Sequence, residues 1–201
     1  MSSISTIGNA TLIAYDEAAP ILSTDPWFGD EDHAYFGSWT LSHEIPAKYK
    51  KDILHSKYIW FSHGHPDHLN PLSIKRLEGK NLLLPDHIGS RIYRDLTKQK
   101  KYSIEILPDR TWVQLSKKIR VMCITTIMQD GILLLDVAGR LFINLNDAGT
   151  RGATKFIQQE ARSFQDVYLL SLSGYGDADM INCYDKDGVF IIPPAKNNTR
   201  V

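Results

Sequence analysis

Between Ser62 and His68 the chain reads Ser-His-Gly-His-Pro-Asp-His, so His63, His65, Asp67 and His68 fall within six consecutive positions. Imidazole nitrogens and carboxylate oxygens in such a cluster suit a divalent transition metal such as zinc, iron or manganese. In extended backbone alternate side chains share a face, so His63 and His65 can turn to one ion, with Asp67 continuing the row. His68 begins the next turn and points elsewhere, which leaves Asp67 and His68 to hold a second ion. Gly64 permits close approach of the backbone, and Pro66 suits a chain leaving extended geometry. A histidine-rich polar turn is the plainer alternative. Three imidazoles and a carboxylate at this spacing favour a metal site of one or two ions.

The flanking elements must place that cluster. Tyr58-Ile59-Trp60-Phe61 is an apolar run that reads as a buried strand. Asp67 to Leu77 reads as a helix, with Leu69, Leu72, Ile74 and Leu77 on its core face. The candidate ligands therefore sit where a strand ends and a helix begins, at the carboxyl-end crevice where α/β sheets usually build their sites.

Upstream, residues 4–15 and 19–28 read as two strands. Asp25 closes the second, and Pro26 blocks further pairing. Asp25 is either a strand-end turn residue or the partner that orients a metal-bound histidine. Residues 29–48 form an irregular stretch with Tyr35, Phe36, Trp39, His33 and His43. Its aromatics either clamp the loop to the core or form a lid over substrate. His43 is its best candidate for a substrate contact or an extra ligand.

Downstream, Asn81 to Pro85 reads as a short buried strand, and His87 as a cap on a helix over 88–98. Strands are expected at Tyr102–Leu107, Thr111–Leu115, Ile119–Ile127, Gly131–Val137 and Leu141–Asn146, with a tight hairpin at Gly139 and Arg140. An amphipathic helix follows over Gly149–Phe164, then a strand over Val167–Leu172 and a last apolar run over Gly188–Ile192.

The 201 residues favour one domain spanning 1–201, with the N-terminal part of a longer protein as the alternative. Basic and acidic residues balance at 23 each, so net charge gives no reason to expect nucleic acid or an anionic membrane as partner. No apolar stretch approaches the length of a membrane span, and the N-terminus lacks signal-peptide character, so a cytoplasmic location is expected. Cys123 and Cys183 lie in apolar, strand-like surroundings and read as buried, reduced thiols.

His63-x-His65-x-Asp67-His68 resembles the signature of the metallo-β-lactamase-fold superfamily. Leu22-Ser23-Thr24-Asp25-Pro26-Trp27-Phe28 and Leu141-Phe142-Ile143-Asn144-Leu145-Asn146-Asp147 extend the likeness. The last two segments are similar to the branch that holds ascorbate-6-phosphate lactonase-like proteins, N-acylphosphatidylethanolamine phospholipases and the non-Rieske part of CMP-N-acetylneuraminate hydroxylase. The resemblance implies an α/β fold, an αββα sandwich of two mixed sheets with outer helices. It also implies that Asp147 bridges two ions, and that Asp25, Trp27 and Asn146 stand behind the ligands or against substrate.

The resemblance also implies two later histidine ligands, yet every histidine here lies at or before His87. Gln129 and Asp130 are the candidate substitutes for the first. For the second, Asp177, Asp179, Asp185 and Asp187 are polar options without a motif. Either the fold is incomplete at the C-terminus of this chain, with a further segment, a second copy or a partner chain completing the site, or the chain is a short member with fewer ions.

The expected activity is metal-dependent hydrolysis of a small-molecule phosphoester, lactone or amide, with His63, His65, Asp67, His68 and Asp147 as ligands and Asp67 also a proton acceptor. Two alternatives stand beside it. One is an iron-dependent oxygenase or oxygenase component, and the other is a metal-poor binding module without catalysis.

Overall fold

Apolar runs without polar alternation signal strands covered on both faces, and that is how this chain uses them. The computed structural model describes residues 1–170, 181–184, 187 and 190–191. Its strands are β1 Ser3–Gly8, β2 Thr11–Asp16, β3 Ala19–Thr24, β4 His33–Ala34, β5 Trp39–Leu41, β6 Tyr58–Trp60, β7 Asn81–Pro85 and β8 Ser103–Leu107. They continue as β9 Trp112–Gln114, β10 Ile119–Thr125, β11 Gly131–Val137, β12 Arg140–Asn144, β13 Asp166–Leu170, β14 Ile181–Tyr184 and β15 Phe190–Ile191. The α-helices are α1 Ala47–His55, α2 Arg91–Gln99 and α3 Thr154–Ala161.

Two sheets form the body. The first has order β1-β2-β3-β6-β7-β8, and the second β13-β12-β11-β10-β9. β3, β6, β7 and β8 run parallel, whereas β1 and β2 join antiparallel. In the second sheet the antiparallel run β9 to β12 gains β13 as a parallel neighbour. A small third sheet, β15-β14-β5-β4, lies in the segment after β3 and near the chain's end.

Period-two alternation sorts the side chains into layers. Leu12, Leu22, Trp60 and Leu83 of the first sheet meet Val121, Cys123, Leu133 and Leu135 of the second in one buried cluster. Ile59, Leu82 and Leu84 face outward onto Ile53 of α1, Leu96 of α2, and Ile74 and Leu77. Met122, Ile124, Ile132 and Leu134 face the other way, towards Ile157 of α3. The result is the expected αββα sandwich.

Several element boundaries differ from expectation. The segment from Asp67 to Leu77 is not a continuous helix: it is a turn followed by a 3-10 helix at Ser73–Leu77. Pro71 has no N–H to donate, and the Asn70 side chain accepts the N–H groups of Leu72 and Ser73, both at 3.0 Å. The strand over 19–28 stops at Thr24, because Asp25 turns into the left-handed region at φ 39°. The helix expected over Gly149–Phe164 shortens to α3. Residues 29–48 contain β4, β5 and the start of α1, so the stretch is ordered by pairing and is not a long loop. Cys123 is a buried free thiol, pushed up to about 12 by burial. The side chain of Cys183, the end of the strand expected over Val167–Leu172, and Asp177, Asp179 and Asp185 lie outside the described residues.

Candidate metal centre

Four strand ends converge at one edge of the sandwich. β3 ends at Asp25, β6 leads into Ser62 and His63, the β10–β11 turn carries Asp130, and β12 leads into Asn146 and Asp147. The two sheets are stitched together there by the Gly131 N–H, which donates to Ser62 O at 3.0 Å.

Asp25 is the fixed point behind the histidines. It is fully buried. Its Oδ1 accepts the Ser62 N–H at 2.7 Å, and its Oδ2 accepts the Ser62 Oγ–H at 2.7 Å and the Asn146 Nδ2–H at 2.7 Å. The same Oδ2 lies 3.2 Å from His68 Nδ1. A carboxylate can only accept, so Nδ1 of His68 carries a proton and Nε2 is the nitrogen presented to the site. His68 Nε2 is 3.4 Å from Asp67 Oδ2 and 3.4 Å from Asp147 Oδ2. Burial alone would push the His68 pKa down, but the bonds to Asp147 and Asp25 hold it up at about 10.

His63 is set by Ser62. The serine's one hydroxyl proton goes to Asp25, so Ser62 Oγ accepts from His63 Nδ1 at 2.9 Å. That leaves Nε2 of His63 as its acceptor nitrogen, 2.7 Å from His65 Nδ1 and 3.6 Å from Asp147 Oδ2. Burial, then the charge of His68, lowers the His63 pKa to about 4. His65 is more open, and its Nδ1 is 4.0 Å from Asp147 Oδ2. For Asp147 burial works upward, but the bond to His68 and its charge win, and the carboxyl is held below the usual range.

His63, His68 and Asp147 each offer a ligand atom, all within 4.8 Å of one another. The electrostatics fit a cation. Three carboxylates, Asp25, Asp67 and Asp147, gather around a single imidazole, which is more negative charge than one imidazolium offsets. A divalent ion at this donor set would complete the balance.

Asp67 is buried, with Oδ1 accepting the Tyr35 hydroxyl at 2.9 Å. Its backbone carbonyl accepts from Asn9 Nδ2 at 2.8 Å. Burial, then the charge of Asp67, raises the Tyr35 pKa, so the phenol stays protonated. Asn146 is brought behind the ligands through Asp25. Asp130 reaches the rim, with Oδ1 3.9 Å from His63 Nδ1, the nitrogen that faces away from the other ligands. Burial, then Asp147, pushes its pKa up. Gln129 sits in the left-handed region at φ 68°, and its side chain makes no bond among the described residues. His87 turns inward: it is buried, Nε2 has no partner among the described residues, and burial followed by the charge of His63 pushes its pKa down.

Trp27 packs against Tyr35, the residue that bonds Asp67, and His43 lies on the segment that follows. Trp27 is fully buried with its indole N–H on Asp32 O at 3.2 Å, so it braces the loop from within. His43 is exposed, its Nδ1 3.2 Å from Ser42 Oγ, beside a cleft shared with Asp30, Glu44 and Ile45.

The layered architecture has counterparts among solved structures. An isothiocyanate hydrolase from Delia radicum gut bacteria superposes with a TM-score of 0.63 at 13% identity, covering 96% of this chain and 76% of that one. The chain has the metallo-β-lactamase fold. A protein from Parabacteroides distasonis, named provisionally as a metal-dependent hydrolase, superposes on this metallo-β-lactamase fold with a TM-score of 0.50 at 15% identity, over 88% of this chain and 84% of that one. In sequence, the cytidine monophosphate-N-acetylneuraminic acid hydroxylase of Asterias rubens is 29% identical over 139 residues, 63% of this chain. The inactive human protein of that name is 26% identical over 135 residues, 61% of this chain. The chain spans 20% of the first relative's length and 26% of the second's. No protein-family model matches it. These relatives agree with the branch that the Asp-Pro-Trp-Phe and Asn-Leu-Asn-Asp segments resemble.

Proposed function

We propose that this chain is a metal-dependent hydrolase acting on a small molecule with a phosphoester, lactone or amide bond. The observation that carries the proposal is the triad of His63, His68 and Asp147 ligand atoms within 4.8 Å, with the far nitrogen of His68 held by Asp25. The two solved neighbours, an isothiocyanate hydrolase and a protein provisionally named a metal-dependent hydrolase, support the reaction class.

In this reading His63, His65, Asp67, His68 and Asp147 would hold the metal, with His63 Nε2 and His65 Nδ1 on one side of Asp147 and His68 Nε2 and Asp67 Oδ2 on the other. A divalent ion held there would supply two kinds of chemistry, a lowered pKa of a water, towards about 7, and polarisation of the oxygen of the scissile group. Asp25 and Ser62 fix the imidazole rings, so the donor atoms do not reorganise when substrate arrives.

Elemental analysis of the purified protein, alongside hydrolysis of a generic phosphodiester and a lactone, tests the proposal. His63→Ala should abolish metal uptake and turnover together. A His63→Ala protein with stoichiometric metal and full activity would sink it.

The sequence likeness to the sialic-acid hydroxylases favours a second reading, an iron-dependent oxygenase component. Iron as the bound metal, with an oxygen-dependent reaction and no hydrolysis, would select that reading over the first.

A further inference from the structure

Tyr35 lies in the segment between β3 and α1, far in sequence from the candidate ligands. Its hydroxyl donates to Asp67 Oδ1 at 2.9 Å. The other carboxylate oxygen, Oδ2, is the one 3.4 Å from His68 Nε2. The backbone that delivers the phenol is unusual. Tyr35 has φ 48° and Phe36 has φ 58°, two consecutive bulky residues in the left-handed region. Such conformations persist only where the surroundings enforce them, and they cluster at functional sites.

The surroundings are visible. The Tyr35 carbonyl accepts both the Ser38 N–H, at 3.1 Å, and the Ser38 hydroxyl, at 2.8 Å. The Tyr35 ring stands edge-on to Trp39, with centroids 4.7 Å apart. Asn70 Nδ2 donates to His33 O and to Pro66 O, both at 3.0 Å, which ties the base of this segment to the histidine motif. None of these contacts uses the Tyr35 hydroxyl. Among the described residues its one side-chain hydrogen bond goes to Asp67, so the strained turn has a specific product: one phenol O–H aimed at one carboxylate oxygen.

We propose that Tyr35 is a positioning residue, whose hydroxyl occupies Asp67 Oδ1 and leaves Oδ2 alone turned to the ion position beside His68 Nε2. The inference rests on the metal reading above. A carboxylate with both oxygens free can rotate and alternate between one-point and two-point ligation. A donor on Oδ1 removes that freedom and fixes one geometry, as outer hydrogen bonds to ligating groups generally do.

Tyr35→Phe tests this, because it keeps the ring and its contact with Trp39 and removes only the hydroxyl. Cobalt affinity by chelator competition and the visible spectrum of the cobalt protein should be measured for the wild type, Tyr35→Phe, Asp67→Ala and the double variant. Melting in excess chelator reports the fold separately. Tyr35→Phe should bind cobalt about tenfold more weakly, with an altered spectrum and an unchanged metal-free melt. In the Asp67→Ala background the same change should alter affinity less than about twofold, because Tyr35 acts through Asp67. Wild-type affinity and spectrum in Tyr35→Phe would overturn the proposal, as would an equal loss in the Asp67→Ala background. A wild type that takes up no cobalt would instead overturn the metal reading itself.

Discussion

The Asp25 carboxylate lies 3.2 Å from Nδ1 of His68, although the two residues are 43 positions apart. Asp25 has no contact with the open face of the site, yet it decides which nitrogen His68 presents there. Asp25→Asn keeps the shape but can offer His68 an N–H where an acceptor is needed. Metal affinity should fall about 10- to 100-fold, with smaller effects on folding. Isothermal titration with zinc or manganese checks this. Asp25→Ala should differ in kind, because it strands the Ser62 N–H, the Ser62 hydroxyl and the Asn146 amide in a dry environment. A stability loss of at least about 3 kcal/mol is expected, read by urea denaturation.

The metal-free protein should be most stable near pH 6.5, the ordinary histidine pKa, because His63 and His87 are shifted down while His68 is shifted up. His63 is held down at about 4, so between pH 4 and 6.5 the unfolded chain binds a proton there that the folded chain does not, and stability rises with pH. His68 is held up at about 10, so its contribution is fully present below pH 6.5 and is lost as pH rises towards 10. Melting in chelator across pH 4 to 10 should give a dome. His63→Ala should flatten the acid limb, and His68→Ala the alkaline one.

Gly131 should not tolerate a methyl group. A Cβ there would stand 2.7 Å from Pro85 Cγ, 3.0 Å from Trp60 Cζ2 and 3.2 Å from Ser62 O. None of these is the free end of a flexible chain. Gly131→Ala should cost about 1–3 kcal/mol by overpacking, a melting decrease of roughly 2–4 °C for each kcal/mol in a protein of this size. Because the clash falls on Ser62, metal affinity should drop as well. A stable variant with unchanged affinity would show that the second sheet does not set Ser62.

The ligand cluster was legible in the sequence because His63, His65, Asp67 and His68 fall within six consecutive positions, and the strands were legible because both sheet faces are buried. Leu82, Leu83 and Leu84 read as a strand for the same reason that they divide between two cores. Three things were not legible. The break after Asp67 depends on the Asn70 side chain capping Leu72 and Ser73, which apolar periodicity does not register. The role of Ser62 depends on its single proton, which goes to Asp25 and leaves an acceptor for His63. Its place just before His63 was the available signal. Tyr35 had no local signal, because left-handed backbone at a tyrosine followed by a phenylalanine is imposed by the fold. Gln129 and Asp130 looked equivalent in sequence. They diverge because the turn aims only Asp130 towards His63.

The Asn146 amide reaches Asp25 across 121 residues, and it is one of the bonds that hold the anchor of His68. The histidine motif is local in the sequence, but its geometry is not a local property. During synthesis the motif emerges long before Asn146 does, and this last brace cannot form until β12 has docked. Long-range closures of this kind form late and slowly in folding. Tight metal uptake would then serve as a timer for completion of the sandwich, and a bound ion would favour the fully assembled chain over earlier folding species by mass action.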